Sequence, residues 1–158
     1  MEIEANTRKT DVLILMGSSS DMPTMEKAAA QLQEFGLSSE IIISSAHRNP
    51  DRTAQIAREA QERGVKVIIA GAGMAAALPG AVAAHTNLPV IGVPCASGAL
   101  NGFDSLLSIA QMPPGIPVAC VAINGAKNAA VLAAQIIATG DVEVAAKVAE
   151  FRRKQSAA

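Results

Sequence analysis

Five short apolar runs, each followed by a helical stretch, constrain the fold of this chain more than any other feature. They are "DVLILM" (Asp11–Met16), "EIIIS" (Glu40–Ser44), "VKVIIA" (Val65–Ala70), "PVIGV" (Pro89–Val93) and "PVACVAI" (Pro117–Ile123). The runs are continuous rather than alternating, the pattern of strands buried on both faces. The helical segments between them have readable ends. Asp21–Gly36 and Asn49–Gly64 each begin with a candidate cap and an early proline and stop at glycine. Leu78–Thr86, Phe103–Met112 and Ala126–Gly140 follow. Strand and helix alternating through short connections predict an α/β fold: a single three-layer, doubly wound parallel sheet of five strands over residues 11–140. The amphipathic segment Val142–Gln155, within residues 141–158, predicts an extra C-terminal helix packing on the domain or on a neighbouring subunit.

Length and charge exclude several classes. The 158 residues suit one domain. A formal net charge of -1 offers no basic stripe for nucleic acid. Apolar runs fall far short of the roughly 20 residues of a membrane span, and the first ten residues, "MEIEANTRKT", are polar. The expectation is a cytoplasmic protein with no membrane or nucleic-acid partner. Cys95 and Cys120 lie in or beside apolar runs and read as buried free thiols; the alternative for Cys95 is a nucleophile. The chain holds 32 alanines and three aromatic residues, all Phe. Alanine-rich helices permit close approach and point to subunit contacts.

In doubly wound sheets ligands bind beyond the carboxyl ends of the strands, so the loops after each strand carry the functional reading. "GSSSDMP" (Gly17–Pro23) gathers three hydroxyls and an acid at a helix start, where N–H groups favour an anion. Asp21 there can accept hydrogen bonds from sugar hydroxyls; the plainer reading is a cap made by Ser20 or Asp21. "SAHRNP" (Ser45–Pro50) offers Arg48, a planar fork suited to phosphate. His47 in the same loop is either a solvated turn residue or an acid–base group. His85, at a helix end, reads as a cap. "GAGMAAALPG" (Gly71–Gly80) matches a dinucleotide fingerprint, yet the next strand lacks the acid a ribose needs. It reads instead as a glycine-rich wall allowing close backbone approach to a small ligand. Lys127 and Asn128 stand at a helix start with no assigned role. No metal-ligand spacing occurs, so no metal site is expected.

Taken together, "MGSSSDMPTM", "SAHRNPDR", "VIIAGAGMAAALPGAVAAHTNLPVIGVP", "LNGFDSLLSIAQMPPGIPVACVAI" and "NAAVLAAQI" resemble the bacterial N5-carboxyaminoimidazole ribonucleotide mutases of purine biosynthesis, the class I PurE family. The resemblance runs from about Val12 to Ile137. It implies a flavodoxin-like sheet, a homo-octamer, and an isomerase that moves a carboxylate from N5 to C4 of an aminoimidazole ribonucleotide without cofactor. By position it implies that Ser18, Asp21 and Arg48 bind the nucleotide, and that Ser20, Ser45 and Ala46 line the pocket. His47 is then the acid–base residue, and Gly71, Ala72 and Gly73 face the carboxylate and ring. The usual family pattern reads "GAGGAAHLPG"; here Met74 replaces a glycine and Ala77 a histidine.

Two other functions compete. A related branch carboxylates aminoimidazole ribonucleotide directly with CO2; it carries Lys after the "SAH" histidine and lacks the glycine-rich wall, so Arg48 and Gly71–Gly80 side with the mutases. A non-catalytic nucleotide-binding relative is the third reading, suggested by Ala77.

Overall fold

A computed structural model describes residues 9–157. The polar stretch at residues 1–8, on which the reading of the amino terminus rested, lies outside them.

The described residues form five parallel strands, β1 (Val12–Met16), β2 (Ser39–Ile43), β3 (Val67–Gly73), β4 (Val90–Cys95) and β5 (Ala119–Cys120). Their order is β2-β1-β3-β4-β5, a flavodoxin-like, doubly wound sheet. Among the described residues six α-helices accompany them: α1 (Met22–Glu34), α2 (Pro50–Glu59), α3 (Ala77–Ala83), α4 (Phe103–Ala110), α5 (Ala126–Ala138) and α6 (Val142–Ser156).

Strand periodicity explains the layers. Val12, Ile14 and Met16 of β1 face one core with α1 and α5, while Leu13 and Leu15 face the other with α2, α3 and α4. All five β1 residues are fully buried. α6 lies outside α5: Val144 is buried in that first core, Val148 and Phe151 pack on it, and the Phe151 ring meets Phe35 edge-on at 5.3 Å.

Three strands depart from the expected limits. β3 runs three residues further, to Gly73, because Gly71, Ala72 and Gly73 pair with Val93, Pro94 and Cys95 of β4. β4 likewise extends to Cys95. The seven-residue strand expected at Pro117–Ile123 shrinks to Ala119–Cys120. Register explains the loss at its carboxyl end. Gly92 O accepts from Val121 N, so alternate residues of β4 present their polar groups to β5. Pro94 is next in that series and has no N–H to donate, so the ladder stops. β2 and β5 are edge strands and only partly buried, so the expectation of burial on both faces fails for these two.

Candidate active site

The sheet order reverses between β1 and β3, and there the loops after β1, β2, β3 and β4 enclose a cavity of about 410 Å3. This is the switch-point position at which open α/β sheets bind ligands.

The loop after β1 contributes Gly17, Ser18, Ser20 and Asp21. Ser19–Asp21 form one 3-10 turn leading into α1. The capping bond is made by Ser18, whose hydroxyl oxygen accepts from Ser20 N at 3.3 Å and from the Ser20 hydroxyl at 3.0 Å. The expected cap by Ser20 or Asp21 is thus not formed: Asp21 is already helical in backbone and its side chain caps nothing. Burial pushes the Asp21 carboxyl above the usual range, although the Cys95 thiol and the Ser18 N–H bond to its charged form. Cys95 itself is buried, and burial together with the Asp21 charge pushes its thiol up to about 12. A thiol so strongly protonated is a hydrogen-bond donor and not a nucleophile. Cys120 is only half-buried, contrary to expectation.

The loop after β2 contributes Ser45, Ala46, His47 and Arg48. Its conformation is fixed from below. Asn49 N donates to Ser45 O at 2.9 Å, the Asn49 side chain accepts from Arg52 N at 3.3 Å to cap α2, and Ser44 and Thr53 share a buried hydroxyl pair at 2.8 Å. Ser45 Oγ accepts from Arg48 N at 3.2 Å. With capping carried by Asn49 and Ser45, the His47 and Arg48 side chains are left exposed at the cavity. β1 and β2 are neighbours, with Met16 beside Ile43, so this loop stands next to the hydroxyl-rich one.

The loop after β3 forms the wall. Ala72 and Gly73 line the cavity, followed by Met74 through Leu78. Gly71 does not: it is a strand residue, and the Met25 side chain occupies the place its missing Cβ would take. Met74 and Ala76 adopt left-handed backbone, φ 52° and 43°, to bring the chain from β3 into α3. Ala77 presents only a methyl group there. The loop after β4 adds Ser97, which sequence reasoning passed over. Its one signal was its place beyond a strand end.

Other residues fall elsewhere. His85 lies by a separate hollow near the amino end of β4, where Arg58 bonds its Nδ1 at 3.3 Å. A guanidinium only donates, so Nδ1 is the acceptor in that contact. His47 is therefore the imidazole of the cavity. Lys127 lies 5.8 Å from the centre of the Phe151 ring on α6 and is not among the residues lining the cavity. Among the described residues no group of three or more His, Cys, Asp or Glu converges as metal ligands do, and no helix is long and apolar enough to cross a membrane.

The cavity thus joins a guanidinium, several hydroxyls and a carboxylate to a small-residue wall, with one imidazole at its edge. Such a set can hold an anionic, hydroxylated ligand carrying a flat ring and move a proton on it.

Comparisons with known proteins agree with that chemistry. The N5-carboxyaminoimidazole ribonucleotide mutase of Thermotoga maritima is 59% identical over 141 residues, covering 89% of this chain and 82% of that protein. The mutase of Vibrio parahaemolyticus is 58% identical over 145 residues, 90% of each chain. The crystal structure of Treponema denticola PurE matches with a TM-score of 0.83 at 37% identity, covering 92% of this chain and 90% of that one. The family model for AIR carboxylase matches residues 11–158, and the chain belongs to the AIR carboxylase family.

Proposed function

We propose that this protein is an N5-carboxyaminoimidazole ribonucleotide mutase, giving 4-carboxy-5-aminoimidazole ribonucleotide in purine biosynthesis. The observation that carries the reading is the meeting of His47 and Arg48 with Ser18 and Asp21 at one cavity, in a chain whose relatives at 55–59% identity bear that name. Arg48 holds the phosphate and Asp21 the ribose hydroxyls; Ser18, Ser20, Ser45 and Ala46 shape the pocket between them. The imidazole ring lies against Ala72 and Gly73.

Moving the carboxylate takes two bond changes and one proton. His47 as imidazolium gives its proton to N5 as the N5–carboxylate bond breaks, which leaves CO2 and the neutral amine. The electron pair of C4 then attacks CO2, held by the wall so that recombination is effectively intramolecular. The hydrogen on C4 returns as a proton to His47, restoring the imidazolium. The sum is an isomerisation that uses no cofactor or metal. An imidazole, with an ordinary pKa near 6.5, suits a group that both gives and takes a proton.

The same reading makes the protein a cytoplasmic homo-octamer. Support for self-association comes from apolar side chains left open on the loop after β4 and at the start of α4: Leu100 is 60% exposed and Phe103 59%, and the two are neighbours, Phe103 N donating to Leu100 O at 3.0 Å. Contiguous exposed apolar surface marks interaction sites. Light scattering at micromolar concentration should give an octamer, and a monomer would end that part of the proposal.

The activity is tested by incubating purified protein with the N5-carboxylated nucleotide and, separately, with the uncarboxylated nucleotide plus bicarbonate. C-carboxylated product from the first alone at low bicarbonate is the expected result. Product from the second alone identifies a direct carboxylase, and binding without product identifies a non-catalytic relative.

A further inference from the structure

The loop after β4 reaches the cavity at Ser97 and is held there from an unexpected direction. Ser97 is exposed to the cavity and packs flush on Gly73: a Cβ at residue 73 would lie 2.9 Å from Ser97 Cβ and 3.2 Å from Cys95 O. Ser97 and the glycine wall are therefore one continuous surface. The ladder between β4 and β5 ends at the Gly92–Cys120 pair, and beyond it a single residue, Asn124, takes over the link. Asn124 N donates to Pro94 O at 2.7 Å, and Asn124 Oδ1 accepts from Ala96 N at 2.9 Å. The two bonds straddle Cys95, whose own carbonyl accepts from Ser105 Oγ at 3.2 Å. Asn124 makes both bonds from a left-handed backbone, φ 59°. Glycine adopts that conformation freely; asparagine does so less easily but brings a side-chain acceptor. The residue type is explained by the bond to Ala96.

We infer that Ser97 is a further substrate-contacting residue of this cavity and that Asn124, from the end of β5, is the residue that positions it. The inference rests on the proposed mutase reaction, in which the wall at Gly73 carries the migrating carboxylate. The Ser97 hydroxyl, fixed against that wall, donates to the CO2 oxygen that gains negative charge as the bond to C4 forms, a contact that the N5-carboxylate of the bound substrate does not make. Asn124 touches no substrate; it holds the Pro94–Ala96 segment so that Ser97 cannot swing away.

The test uses the full chain with N5-carboxylated nucleotide and four variants: Ser97→Ala, Asn124→Gly, Asn124→Asp and the double variant Ser97→Ala/Asn124→Gly. A lost hydrogen bond to a charged group corresponds to about tenfold or more, so Ser97→Ala should lower kcat by about tenfold with KM within about threefold, the signature of a bond to the reacting group. Asn124→Gly keeps the backbone conformation and the bond to Pro94 but loses the acceptor for Ala96; it should lower kcat by about fivefold. Asn124→Asp restores an acceptor and should return to within about threefold of the parent. Because the two residues act through one contact, the double variant should be no more than about twofold worse than Ser97→Ala. Ser97→Ala alters one exposed hydroxyl, so unfolding does not cloud its result, and melting temperatures check the rest. Turnover by Ser97→Ala within about twofold of the parent would overturn the proposal. So would a double variant losing the product of the two single effects. A parent protein with no turnover would instead bring down the mutase reading, and this inference with it.

Discussion

Ser18 and Asp21 divide between them two tasks that a single residue often performs. Asp21 N donates to Ser18 O at 3.1 Å, and the Ser18 hydroxyl makes the capping contact to Ser20 N. Asp21 is thereby left with a carboxylate that stabilises no helix and is raised in pKa by burial. A carboxyl with a raised folded-state pKa opposes folding once it is ionised, at pH above its unfolded value of about 3.9. Asp21→Asn should therefore raise the melting temperature modestly at pH 7, and the gain should vanish on acidification below pH 4. The same change should weaken nucleotide binding, the trade expected of a residue kept for function. Calorimetry and ligand titration on one preparation check both halves; lower stability at pH 7 would show that the carboxylate is structural.

Arg48 supplies the cavity's guanidinium, and its backbone N–H is already held by Ser45. A phosphate remote from the reacting carbon is bound alike in ground and transition states. Arg48→Ala should thus weaken substrate affinity about ten- to a hundredfold, from roughly 1.5–3 kcal/mol per charged hydrogen bond, with single-turnover rates at saturation nearly unchanged. Equal loss in both would move Arg48 from binding to chemistry.

Asp11 ties three strands at the opposite end of the sheet. Its Oδ2 accepts from Ser38 N at 3.0 Å and from the Ser38 hydroxyl at 2.9 Å, and Lys66 Nζ lies 3.5 Å from Oδ1. Burial opposes ionisation here, but the bonds from Ser38 and the charge of Lys66 outweigh it and hold the carboxyl below its usual range. A depressed pKa gives stability that is present above the unfolded value of about 3.9 and is lost as pH falls through the folded one. Asp11→Asn should lose about 1–2 kcal/mol at pH 7. Denaturant midpoints of parent and variant should converge as pH drops below about 4; a gap constant with pH would exclude the ionised carboxylate as the cause.

The cores of β1, β3 and β4 were legible because an uninterrupted apolar run has few other places to go than a sheet buried on both faces. β5 misled for a reason outside its own segment: Pro94, on the neighbouring strand, denies it a donor. Gly71 misled for a related reason, since its role is set by Met25, on a helix remote in sequence. The hydroxyl loop, His47 and Arg48 were legible because each lies directly beyond a strand end. Ser97 and Asn124 were not, because their meaning depends on one contact across two loops that no spacing encodes.

Met74 adopts a φ of 52°, the conformation glycine favours. A left-handed backbone costs an ordinary L-residue about 1–2 kcal/mol, while glycine loses part of that advantage through its more flexible unfolded chain. The Met74 side chain is largely exposed, so its removal forfeits little packing within one chain. Met74→Gly should therefore stabilise the fold by up to about 1 kcal/mol, read as a shift in denaturant midpoint. A destabilised variant would mean that the side chain is covered in the assembled protein.

His47 is exposed at the cavity, in a loop whose capping is done by Asn49 and Ser45, so the fold does not depend on the imidazole. His47→Asn should keep both melting temperature and nucleotide affinity. General acid–base catalysis contributes about 100- to 10,000-fold, and in the proposed mechanism the variant removes the group that gives a proton to N5 and takes one from C4. Turnover should fall by at least about a hundredfold, and equally under single-turnover conditions, because the lost step is chemical. Ala77 sharpens the expectation, since the wall offers no second imidazole to take over. Binding and single-turnover rates measured together decide the matter: a variant within a few-fold of the parent makes His47 a solvated turn residue and moves the proton transfer to another group of the cavity.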